Sequence, residues 1–239
     1  MLRLLSILLA LVPSTAVRAE PLEAPALVRS KARLDLRSPL GVAVLEAPLR
    51  DGARFDAGDV LVRFDCATLH AERRAADAAL RAERLDVSTK QRLLSHGAGS
   101  TGDLKRARAL RDRAAGNLDA LKSRIGACEV RARFAGRVVR LHARPGEVPS
   151  PADPVVTIID DARLEVEVVA PSRWLPRLRA GVPFRVFLDE TGREHAAVVT
   201  GTGSEVDPVS RTVRVWGRLE ERSGVLAGMS GAARFEARP

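Results

Sequence analysis

The sequence predicts a mainly β fold with an α-helical hairpin. A small β-sandwich is built from two separated halves, the hairpin is inserted between them, and a small β-barrel follows. Three observations predict this. Residues 38–65 and 129–160 both consist of short apolar runs broken by Gly-containing turns. Between them, Ala67–Ser95 contains neither Gly nor Pro and is rich in Ala, Arg, Glu and Leu, all strong helix formers. From residue 164 onward, some six short alternating runs are separated by Gly and Pro, the texture of a small barrel.

The first 19 residues read as a signal peptide. Arg3 supplies a basic start, residues 4–12 an apolar run, and Val17-Arg18-Ala19 a cleavage site after Ala19. The run is too short to span a bilayer, and no Cys stands near the cleavage site to carry a lipid. An uncleaved N-terminal anchor is the alternative. Removing residues 1–19 takes away Arg3 and Arg18 and no acid, so the formal charge falls from +9 to +7. In an exported protein this excess points to anionic head groups or acidic partner surfaces, and not to nucleic acid. Only Lys31, Lys90, Lys105 and Lys122 are Lys, so the Arg surplus is read chiefly as composition bias. Aromatics make up 3% of the chain and Tyr is absent, which excludes a large aromatic-lined ligand pocket.

Residues 20–37 contain Pro21 and Pro25, show no clear period, and are expected to form an extended lead-in. Residues 41–47 and 60–64 read as strands, with turns at Asp51-Gly52 and Asp56-Ala57-Gly58. In the first helix, Ala71, Ala75, Ala78, Ala82 and Leu85 recur at helical spacing. Gly97, Gly99 and Gly102 interrupt the pattern, and Ser100 or Thr101 can cap a second helix with Asp103 in its first turn. Leu104, Ala107, Leu110, Ala114, Leu118, Leu121 and Ile125 then trace one apolar stripe ended by Gly126. Two helices of roughly 25 residues joined by a short turn make an antiparallel hairpin on the order of 40 Å long. Two helices of a bundle core are the alternative, but no other helices are available to complete one.

Residues 130–134, 137–141 and 155–159 return to strand texture. The two strand-rich segments form a weak internal repeat, each closing on an apolar strand followed by Asp (Asp65; Asp160). Residues 164–168, 184–188, 195–200, 212–219 and 232–236 are the barrel strands, with one helical turn around residues 174–178.

At this point the residues resemble a known family. Val206-Asp207-Pro208-Val209-Ser210-Arg211-Thr212-Val213-Arg214-Val215 is similar to the barrel signature of HlyD-type membrane-fusion adaptors. Leu226-Ala227-Gly228-Met229 resembles the family's following turn. Residues 50–65 and 130–148 resemble the two halves of its biotinyl-lipoyl-like domain. The resemblance covers roughly residues 38–237. It implies a lipoyl-like (barrel-sandwich hybrid) domain of residues 38–65 and 129–160, a coiled-coil hairpin of residues 66–128, and a barrel of residues 161–239. It also implies a periplasmic adaptor between an inner-membrane efflux transporter, often of the resistance–nodulation–division (RND) type, and an outer-membrane TolC-like channel, with self-association into a ring. No cofactor and no enzymatic activity are implied. The family's membrane-proximal domain is expected to be missing, since the sequence ends with the barrel.

In that family the hairpin tip docks on the channel through Arg, Leu and Ser at fixed spacing. Leu93 and Ser100 match the last two positions; the first falls on Thr89, with Lys90 beside it. Cys66 and Cys128 flank the hairpin, whose base brings them together for a disulfide. The bridge closes a loop of about 60 residues, worth on the order of 4 kcal/mol in the chain-entropy model. A metal site of Cys66, His70 and Cys128 is the rival reading, which would make the chain a periplasmic metal-binding protein. His96, His142 and His195 are scattered, and no GxSxG, HExxH or phosphate loop is present. No Lys stands where a lipoyl carrier would need one. A type I secretion adaptor remains the alternative within the same family, although such adaptors carry a membrane helix and a longer coil.

Overall fold

The structure, a computed structural model, describes residues 22–38 and 40–236, so the expected signal peptide lies outside the described residues. Chain order runs β1 (Leu22–Ser30), β2 (Arg33–Arg37), β3 (Val44–Glu46), β4 (Arg54–Phe55) and β5 (Val60–Phe64). Two helices follow, α1 (Ala67–Ser95) and α2 (Thr101–Gly126). Then come β6 (Glu129–Arg131), β7 (Gly136–Leu141), β8 (Pro154–Ile159) and β9 (Leu164–Pro171). A single 3₁₀ turn (Ser172–Trp174) leads to β10 (Pro183–Leu188), β11 (Arg193–Asp207), β12 (Thr212–Leu219) and β13 (Ser230–Phe235). The described chain divides into two compact units, one within residues 30–163 and the other of residues 22–29 and 164–236.

The first unit holds two small sheets, ordered β2-β8-β7-β4 and β3-β5-β6. Each sheet takes strands from both sides of the helices in sequence. Their inner faces share a core in which Leu61, Val62, Val155, Val156 and Ile158 are fully buried. The paired Asp residues of the sequence repeat do the same local work. Asp65 Oδ1 accepts the Ala67 N–H at 3.1 Å where the chain leaves β5. Asp160 Oδ1 accepts the Ala162 and Arg163 N–H groups at 2.9 and 3.0 Å where it leaves β8. Asp160 also pairs with Arg163. Burial pushes the Asp160 carboxyl up, but the Arg163 guanidinium and the two N–H groups outweigh it and hold the group below its ordinary value.

The second unit is a closed six-stranded barrel, β1-β13-β10-β11-β12-β9. Inward residues alternate along each strand, as in Val166, Val168 and Ala170 on β9. The stacked rings of Phe184 and Phe235, 4.9 Å apart, fill part of the interior.

Within the lead-in expected over residues 20–37, residues 22–30 and 33–37 are extended as strands that belong to the two β units: β1 completes the barrel and β2 edges a sheet of the other unit. Ala24, Ala26 and Val28 alternate inward along β1, so the period of two is present. It is carried by small residues, and Pro25 sits among them, which hides the pattern from a reading based on large apolar side chains.

Candidate functional site

The helices form the most extended feature of the first unit, and the candidate residues lie at their two ends. Arg124 stands 3.8 Å from Glu72, and Arg108 donates to Gln91 at 2.8 Å. These contacts show α1 and α2 side by side and antiparallel, with their N- and C-termini meeting near the sheets.

The packed face of α1 differs from the one expected. Ala71, Ala75, Ala78, Ala82 and Leu85 are all exposed, Leu85 at 64%. The inward residues are Leu69 and Leu80, buried, with Ala76, Glu83, Val87, Lys90 and Leu94 half-buried. Ala occupies more than one face of α1, so its spacing alone does not choose the inside; the larger Leu side chains do. On α2 the expected stripe holds: Leu104, Ala107 and Leu118 are buried, and Leu110, Ala114, Leu121 and Ile125 half-buried.

At the base, Cys66 and Cys128 form a disulfide with their Cα atoms 6.2 Å apart. Both are buried, packed with Phe64 and Leu69 and beside Leu121 and Ile125. The Phe64 N–H donates to the Cys128 carbonyl at 2.8 Å, tying the end of β5 to the chain two residues beyond α2. Arg63 next to it pairs with Glu129 at 2.9 Å and with Glu46. The hydrogen bond from Arg63 lowers the Glu129 carboxyl below its ordinary value, against burial. With both sulfurs bonded to each other, the rival metal site of Cys66, His70 and Cys128 loses its thiolates. Among the described residues, no group of three His, Cys, Asp or Glu side chains is placed to hold a metal ion.

At the far end, α1 closes through the His96 and Gly97 N–H groups, which donate to Arg92 O and Leu94 O at 3.2 and 3.1 Å. Gly97 takes φ +73°, a conformation that L side chains rarely adopt. A Cβ on Gly99 would lie 2.6 Å from the Leu94 backbone nitrogen, so the turn requires glycine there too. Ser100 then caps α2, its Oγ accepting the Gly102 N–H at 3.1 Å. Of the three tip residues named from the sequence, Leu93 is 41% exposed, Ser100 is exposed and Lys90 is half-buried. All three lie within the two turns that flank this loop.

The barrel signature has a structural explanation. Asp207 accepts the Val209 and Ser210 N–H groups, both at 2.9 Å, and these bonds hold its carboxyl below the ordinary value. Arg211 takes φ +54°, and its carbonyl accepts the Ser172 N–H at 2.8 Å. The motif therefore builds the β11–β12 turn and ties it to the 3₁₀ turn. It presents no grouping suited to acid–base or nucleophilic chemistry. Among the described residues no helix is long and apolar enough to cross a membrane.

No protein-family profile matches the chain. The nodulation protein NolF of Rhizobium meliloti is 29% identical over 234 residues, covering 90% of this chain and 64% of its own length. The chain thus spans a little under two thirds of that relative. Two solved structures share the fold. The membrane fusion protein Spr0693 of Streptococcus pneumoniae matches with TM-score 0.75 at 16% identity, over 91% of this chain and 99% of the other. ZneB of Cupriavidus metallidurans matches with TM-score 0.61 at 22% identity, over 90% and 97%.

Proposed function

We propose that this chain, whose fold is that of the membrane fusion proteins as its sequence resemblance implied, is a periplasmic adaptor of an efflux system. It would join an inner-membrane transporter, of the RND type in the finer reading, to an outer-membrane TolC-like channel. In this reading residues 38–65 and 129–160 are the lipoyl-like domain and residues 66–128 its inserted coiled-coil hairpin, several copies assembling as a ring around the export path. Lys90, Leu93 and Ser100 belong to the channel-docking tip.

The observation that carries the proposal is the construction of the helix pair. Its base is closed by a buried disulfide and sheet hydrogen bonds. Its other end is an exposed, glycine-shaped turn with Leu93 beside it. Such an element is built to present a contact at a distance, on the order of 40 Å from its root at 1.5 Å per residue. The fold shared with the membrane fusion protein Spr0693 supports the same role. In this reading the role is mechanical: the joints between domains transmit the state of the transporter to the channel.

The test is export. A strain lacking the chain should accumulate at least one member of a panel of efflux dyes and divalent cations, and re-expression should restore export. A variant in which residues 90–101 are replaced by a Gly-Ser segment of equal length should fold and fail to restore it. Full restoration by that variant would sink the docking role.

A further inference from the structure

The net positive charge of the protein is concentrated on the helix pair. Between positions 66 and 128 the sequence carries 13 Lys and Arg against 7 Asp and Glu. Over the remaining described residues the count is 23 against 22. The β units are thus nearly neutral, which composition bias toward Arg does not explain, since it would act on the whole chain.

The excess is steepest around the turn. Residues 87–110 hold five cations, Lys90, Arg92, Lys105, Arg106 and Arg108, and one acid, Asp103. Along the shaft, where eight cations stand against six acids, four of the eight have partners: Arg81 with Asp77, Lys122 with Asp119 at 2.9 Å, Arg111 with Asp112 at 2.5 Å, and Arg124 with Glu72 at 3.8 Å. Among the described residues none of the five cations near the turn makes an ion pair; Arg108 donates only to the neutral Gln91. That bond also places Lys90 and Arg92 alongside the stretch 105–108. Arg92, Lys105, Arg106 and Arg108 are exposed. Lys105, Arg106 and Arg108 follow the first turn of α2, which holds the one acid, Asp103. Five cations against one acid leave a net positive charge at this end that the chain does not pair, as on a surface completed by a partner.

We infer that the turn docks on a carboxylate-rich protein surface that offers an apolar socket for Leu93. Protein is favoured over an anionic glycan or lipid by the other half of the surface. Leu93 stands 41% exposed on the last turn of α1, next to a turn whose shape requires Gly97 and Gly99. A fixed apolar knob ringed by cations suits a shaped pocket with an acidic rim, where the charges set encounter rate and orientation and the knob sets residence time. The inference rests on the docking reading above and adds the chemistry of the partner.

The test measures affinity of the full chain for three probes. They are the host's purified TolC-like channel in zwitterionic nanodiscs, isolated peptidoglycan sacculi, and phosphatidylglycerol-containing vesicles. Channel affinity should fall about tenfold between about 50 and about 300 mM salt. Lys105→Gln with Arg106→Gln should cost about tenfold at the lower salt and flatten the salt dependence. Leu93→Ala should weaken binding and leave the slope unchanged, with helix content checked by circular dichroism for each variant. Channel binding that ignores salt and the Gln substitutions would overturn the inference and leave docking intact. Retention by sacculi or vesicles in place of the channel would overturn it in favour of glycan or lipid. Binding to no probe would remove the docking reading as well.

Discussion

The two ends of the helix pair are built on opposite principles. At the base, Cys66, Cys128 and Leu69 are buried, a disulfide joins the helices, and Arg63 is matched by Glu46 and Glu129. At the turn, polar and charged side chains face solvent, glycines replace bulk, and among the described residues none of the five cations makes an ion pair. The base satisfies itself, and the turn does not.

The contrast can be broken at either end. The largest expected effect is at the base. Replacing Cys66 and Cys128 by Ser should lower unfolding stability by about 4 kcal/mol in the chain-entropy model. Chemical denaturation with and without reductant reads this, and the wild-type protein in reductant should approach the Ser variant. Next in size is the shaft. Leu80→Ala should cost about 3 kcal/mol as a buried deletion, whereas Leu85→Ala should change stability by less than about 0.5 kcal/mol. Equal effects would put the packed face of α1 where the Ala spacing suggested.

Asp160→Asn should cost about 2 kcal/mol, the scale of hydrogen bonds to a charged group. Its pH signature follows from a depressed carboxyl. The stabilisation is complete above the unfolded value of about 4 and is lost as pH falls through the folded value. Wild-type stability should therefore decline in acid more steeply than that of the Asn variant, as followed by thermal melts across that range. At the turn the effects are smallest and local. Gly97→Ala at φ +73° and Ser100→Ala should each cost about 1 kcal/mol. Hydrogen exchange should rise for residues 92–104 and stay unchanged at Phe64 and Cys128.

Much of this was legible before the structure. Helix limits are set by local chemistry, by the absence of Gly and Pro across Ala67–Ser95 and by the cap at Ser100, so both were readable. The barrel strands β9, β10 and β12 carry large alternating residues and were readable for the same reason, whereas β11 was legible only over 195–200 and runs on through Gly201 and Gly203 to Asp207. Three features were not. β1 alternates through Ala24, Ala26 and Val28, too small to stand out beside Pro25. Its pairing with β13 joins residues such as Leu22 and Phe235, a contact that no local pattern signals. The inward face of α1 includes Glu83 and Lys90, polar residues whose half-burial is decided by α2, not by their own chemistry. The candidate tip was found only through resemblance. Its charge excess, five cations against one acid, was countable in the sequence, whereas the lack of an ion pair at all five became visible only in the structure.

The most direct measurement compares the two ends in living cells. A photoreactive residue is placed at position 93, and in a separate strain at position 123 near the base, and adducts are identified by mass spectrometry. The account expects an outer-membrane channel in the adducts from position 93 and none from position 123. Adducts of the channel from both positions alike, or from neither while the protein is folded and produced with its transporter, would contradict it.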